Sequence, residues 1–129
     1  MDRELGSSRL VMLEAEFEEY VSRGIATLKR VGYNPIRFLE MVGECGGALG
    51  ATKRLLSNSR HTSYGFERLW GLGRLDATVE YAACLPWFEE LFAPQEIYEA
   101  STRLITHDFP LPSRIAAETA PAWLSELPG

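Results

Sequence analysis

The sequence is poor in the residues that most often carry chemistry, with two cysteines and two histidines in 129 residues. Cys45 and Cys84 are too few and too far apart for a disulfide framework, and are expected as buried thiols in a reducing compartment. With His61 and His107 they match a Cys2His2 zinc set by type. None of their separations resembles a zinc-binding knuckle, so no metal and no cofactor is expected. A Cys–His catalytic pair drawn from the same four residues lacks a third group to orient it. There is no Walker loop, no dinucleotide-binding glycine pattern after a strand, no HExxH, no GxSxG and no CxxC, and no catalytic residue is assigned.

Long apolar runs are missing as well. Nothing approaches the eighteen or so consecutive apolar residues of a membrane span, and MDRELGSSRLVMLEAEFEEY turns acidic where a signal peptide needs an apolar region. A cytoplasmic protein without membrane attachment is expected. No segment alternates apolar and polar residues as a half-buried strand does, and no internal repeat is present. What remains is apolar spacing of three and four, which predicts an all-α fold: a compact single-domain bundle of about five to seven helices over residues 1–109. A Pro-containing tail, 110–129, is expected to dock on the domain or on a partner.

The first helix is predicted over about Ser8 to Val31, with Leu10, Leu13, Phe17, Tyr20, Gly24, Leu28 and Val31 on one stripe. Acidic residues at its start and basic ones at its end suit the helix dipole. Gly24 costs roughly 1 kcal/mol relative to Ala there and points to close approach of another backbone or to a bend. Asn34-Pro35 reads as N-cap and first residue of a second helix, and Ala48–Leu56 as a third. Ser63 caps a fourth, with Phe66, Leu69 and Trp70 buried. Asp76 caps a fifth through about Cys84. Pro86 begins a further turn, and a helix after Ala93-Pro94 presents Ile97, Ala100, Ser101, Leu104 and Ile105 to the core. After Pro110, prolines limit the chain to an extended segment and a short helix near Ala120 to Leu127.

Charge divides unevenly. The chain carries a formal net −5, yet Gly46–Arg74 holds Lys53, Arg54, Arg60, Arg68 and Arg74 against Glu67 alone, net +4, leaving −9 elsewhere. Lys53, Arg54, Arg60, His61 and Arg68 are therefore the candidate binding residues. Arg74, Asp76 and Glu80 are expected as a structural pair or cap, with Glu80 buried against Arg74 or Arg54. As an acid pair on one helix, Asp76 and Glu80 could instead bind a divalent ion, but the basic surroundings supply no further carboxylates. Residues 48–70 loosely parallel a helix-turn-helix, with a longer loop and few base-reading side chains.

YNPIRFLEMVGECGGALGATKRLL followed by GFERLWGLGRLDATVEYAACLPWFEELFAPQEIYEASTRL resembles a widespread bacterial group of small helical proteins and appended domains. The resemblance spans about Tyr33 to Leu104. Its most specific words are Gly65-Phe66 and Gly73-Arg74-Leu75-Asp76, with Thr78 and Glu80. It implies a compact helical fold and brings no catalytic residue. Ala93 stands where the group favours a Thr or Ser cap. The expected function is a non-enzymatic helical protein-interaction domain, an accessory component of a bacterial system, whose partner is another protein or a second copy of the chain across the first helix. The alternatives are a nucleic-acid-associated module using the basic centre and, third, an enzyme with an unfamiliar all-α site near Arg74, Asp76 and Glu80.

Overall fold

The computed structural model describes the backbone of residues 2–57, 64–111 and 120–128, and the side chains of 8–57, 65–111 and 120–128. Within them the protein is an all-α bundle: α1 (Asp2–Arg30), α2 (Ile36–Cys45), α3 (Ala48–Leu56), α4 (Tyr64–Gly71), α5 (Val79–Ala83) and α6 (Pro94–Thr106). Short 3-10 turns fill Leu75–Ala77, Pro86–Leu91 and Ala122–Glu126, and no strand occurs among the described residues.

The main core forms where Leu13, Phe17 and Val21 of α1 meet Phe88, Leu91 and Phe92. Phe17 sits edge-on to Phe88 and Phe92, with ring centroids 5.1 and 5.5 Å apart, an arrangement that adds quadrupole attraction to area burial. A smaller cluster of Phe66, Leu75 and Leu104 lies under Phe109 and Leu111. The tail returns to the main core, where Trp123 stacks on Phe88 at 5.9 Å and Leu127 packs beside it. Arg9 holds the same end by donating to Glu90 at 2.8 Å.

Several boundaries and faces differ from the spacing-based expectation. Helix α1 begins at Asp2, six residues before the expected start at Ser8. Its buried stripe is Leu13, Phe17, Val21 and Leu28, while Leu10, Tyr20 and Val31 of the expected stripe are exposed. Pro35, not Asn34, occupies the N-cap of α2 and supplies no side-chain acceptor. Trp70 and Ile105, expected inside, are more than half exposed. Helix α6 is rolled so that Ala100, Arg103 and Leu104 face inward, which carries Ile105 round to solvent. Cys45 and Cys84 are half-buried free thiols.

The corner between α2 and α3 shows how a distant side chain fixes a local turn. Gly46, at φ 75°, closes α2 in the left-handed conformation, and Gly47 follows at φ 155°, ψ 168°, a region open to glycine alone. Gly47 has no side chain to cap α3. Instead the Glu18 carboxylate of α1 accepts the N–H groups of Ala48 at 2.7 Å and Leu49 at 2.8 Å, placing negative charge at the positive end of α3. A Cβ on Gly47 would stand 3.1 Å from that carboxylate.

Glu18→Ala is therefore expected to lower stability by about 1–2 kcal/mol through the lost cap. Gly47→Ala should cost at least as much, because it adds backbone strain to crowding of Glu18. Chemical denaturation of each variant measures both, and an unchanged midpoint for Glu18→Ala would contradict the capping role.

Candidate functional site

The second half of α1, the turn at 32–35, α2, α4 and the segment 74–82 surround an open groove of about 1190 Å³. Its walls are apolar where the helices meet: Val21, Ile25 and Leu28 from α1, Phe38 from α2, Phe66 and Leu69 from α4. Helix α2 carries a marked apolar face yet buries none of its residues fully, and Ile36 at the groove lip is 57% exposed. Gly24 lies in the same wall. A Cβ built on it meets nothing within 4 Å, so the expected close approach of another backbone does not occur and the glycine faces open space.

Among the described residues, the cations lining the groove are Arg23, Arg37, Arg68 and Arg74, all arginines. Against the lining acids Glu40, Asp76 and Glu80 they leave a net charge of +1, where the chain as a whole carries −5. The ion pairs of Arg23 and Arg74 are the exposed, weakly binding kind. Arg23 donates to Glu19 one helical turn earlier at 3.0 Å, and Arg74 stands 3.5 Å from Asp76. The Arg68 guanidinium lies 6.0 Å from the centre of the Tyr33 ring, near the outer limit of a cation–π contact. Burial, with Tyr81 and Asp76 nearby, pushes the Tyr20 phenol up to about 12, so it stays a neutral hydroxyl in the wall.

Of the basic centre expected from the sequence, the described residues are Lys53, Arg54, Arg68 and Arg74. Lys53 binds Glu96 at 2.8 Å and sits 5.3 Å above the Phe92 ring. Arg54 binds Glu44 at 2.7 Å. Arg68 and Arg74 face the groove, and Arg60 and His61 lie outside the described residues. Glu96 also accepts the Ala93 N–H at 2.7 Å. It thereby supplies at the start of α6 a cap that Ala93, with no side-chain acceptor, cannot give.

Asp76 is not the cap of α5. It belongs to the Leu75–Ala77 turn with its side chain half exposed, and Thr78 caps α5 by accepting the Tyr81 N–H at 3.1 Å while donating to Leu75 O at 2.7 Å. Asp was the stronger signal by residue type, but the extra 3-10 turn moves the helix start two residues on.

Glu80 is buried, 1% exposed, and its partner is Arg103 of α6 rather than Arg74 or Arg54. Arg103 donates to Glu80 at 2.9 Å, to Glu99 at 2.9 Å and to the Leu55 carbonyl at the end of α3 at 3.0 Å. One guanidinium thus fastens α3, α5 and α6 behind the groove wall. Burial pushes the Glu80 carboxyl up, and the Arg103 hydrogen bond and charge pull it back. Sequence reasoning missed Arg103, although the signal existed: it stands at i+3 from Ala100 and i+4 from Glu99. The same burial, with Glu80 beside it, pushes the Cys84 thiol up to about 12 and keeps it protonated. His107 lies edge-on to Phe66 and Trp70, at 4.8 and 4.9 Å, and its Nδ1 is 2.8 Å from Arg103 O.

Arg103→Met is expected to destabilise the fold by about 3–5 kcal/mol, since it strands a buried carboxylate, while Glu80→Met with Arg103→Met recovers much of that loss. Without its cation the Glu80 carboxyl rises further above its ordinary value near 4.5. A raised folded-state value makes the contribution fully favourable below the unfolded value and lost as pH rises through the folded one. The deficit of Arg103→Met relative to wild type should therefore be largest at neutral pH and shrink on acidification. Urea midpoints across pH check this, and a deficit independent of pH would refute the assignment.

Compared with models of protein families, with curated proteins and with solved structures, the chain matches none.

Proposed function

We propose that this chain is a non-enzymatic helical protein-interaction domain, and that the groove between α1, α2 and α4 receives a segment of another protein. The supporting observation is the groove itself, an open volume of about 1190 Å³ with apolar walls, lined by two tyrosines, Met41 and four arginines but no lysine. Tyr, Met and Arg are enriched at protein interfaces and Lys is depleted there, because rigid aromatic and planar guanidinium groups lose little freedom on binding. The partly uncovered α2, the exposed Ile36 and the unpacked Gly24 lie in the same walls, so the groove offers apolar area that a partner can cover. Of the ionisable groups lining it, Tyr20 is held neutral and Glu80 is taken up by Arg103.

Against the nucleic-acid reading, Lys53 and Arg54 are each paired with an acid, Glu96 and Glu44, which lowers the net positive charge they offer to phosphates.

Two measurements test the proposal. A photo-crosslinking residue at Tyr20 or Ile36 in native cells should yield discrete protein adducts, lost with Gly24→Leu, whereas one at the exposed Tyr98 of α6 should not. Adducts that persist in Gly24→Leu would contradict the groove. Labelled single- and double-stranded DNA and RNA at low salt should not bind, and binding abolished by reversing Lys53 and Arg54 would favour the nucleic-acid function instead.

A further inference from the structure

Resting on the protein-interaction reading, we infer that the segment bound in the groove is an acidic amphipathic α-helix. Its conformation follows from the walls. Among the described residues there is no strand, so an extended peptide has no sheet edge to extend, and main-chain pairing cannot supply affinity. The groove is bounded instead by three helices, and a helix laid among them reproduces the packing already used in the core, with apolar anchors at i, i+3 or i+4 and i+7 reaching Ile25, Leu28, Phe38 and Leu69. Gly24 sets the closest approach. A glycine inside α1 costs helix stability, no described residue lies within 4 Å of a Cβ placed on it, and it leaves room for an anchor side chain at the middle of the wall.

The charge of the ligand follows from contrast. The groove lining is net positive by one, and the charge of its most buried acid, Glu80, is answered by Arg103 behind the wall. The rest of the chain, by subtraction from the total of −5, carries −6. An acidic ligand is therefore favoured at this lining over the remainder of the chain taken as a whole. Arginine suits carboxylates at such a rim because its planar fork binds them bidentately. The first turn of α2, which has neither an acidic residue nor a side-chain cap, adds the positive end of a helix dipole at the same wall.

The test is selection from a displayed library of single helices randomised on one face, using the full chain as bait and Gly24→Leu and Arg37→Glu/Arg68→Glu as counter-baits. Circular dichroism verifies that both variants remain helical. The expected pool carries Asp and Glu flanking an apolar stripe. A peptide from it should lose roughly tenfold or more in affinity for Arg37→Glu/Arg68→Glu, and its Glu-to-Lys counterpart should bind that variant and not the wild type. A pool excluded by Gly24→Leu but without acidic excess overturns this inference and leaves the protein-interaction reading standing. A pool indifferent to Gly24→Leu, or no enriched pool, overturns both. Light scattering that shows a dimer abolished by Gly24→Leu makes a second copy the occupant and overturns the acidic helix.

Discussion

Arg103 is the constraint on which the rest of the molecule depends. A guanidinium with 4% of its side chain exposed is tolerable only when its donors are met, and here they are met by Glu80, Glu99 and Leu55 O. Those three acceptors belong to α5, α6 and the end of α3. Apolar packing alone leaves short helices free to slide, whereas a buried, directional contact among three of them permits one register. Helix α5 has only five residues and could not hold its position by its own hydrogen bonds. Its fixed place sets the 74–82 wall, and with it Asp76, Arg74 and the neutral Tyr20 beside them.

A second long-range contact works the opposite flank. Glu18 reaches from α1 to the start of α3, so α1 is tied by a carboxylate on one side and by the Phe17–Phe88–Phe92 contacts on another. Helix α2 is held less firmly: it meets α3 at the glycine corner and offers Phe38 and Val42 to the core, with no residue fully covered. The groove exists because α1 is long and pinned on the α3 side while α2 is short and only half seated. The chain thus places its most buried polar contact, Glu80 with Arg103, behind the walls and the half-seated α2 along one of them.

How far the sequence disclosed this depends on the range of the forces involved. Helix α3 was legible to the residue, Ala48–Leu56, because glycines and a polar segment mark its ends locally. The burial of Glu80 was legible from its apolar neighbours, but its partner was not: Arg74 and Arg54 are closer in sequence, and only the roll of α6 brings Arg103 inward. Asp76 was favoured as a cap by residue type, and a single 3-10 turn gave that place to Thr78. The basic centre looked like one surface in a one-dimensional count. In three dimensions Lys53 and Arg54 turn to acids on α6 and α2, while Arg23 and Arg37, from outside that stretch, join Arg68 and Arg74 in the groove. Gly24 showed the cost of a helix glycine without its reason, since open space leaves no mark on spacing.

We propose that the helical frame, in which Arg103 joins α3, α5 and α6, uses the groove as its binding surface. Backbone amide chemical shifts recorded while an acidic amphipathic helix is added test it most directly. The account predicts shifts that saturate and map to residues 20–28, 33–38, 65–69 and 74–80, with the amides around Tyr98 and Ile105 on α6 unmoved. Shifts centred on that outer face of α6, or saturable binding without movement in the groove, would contradict it.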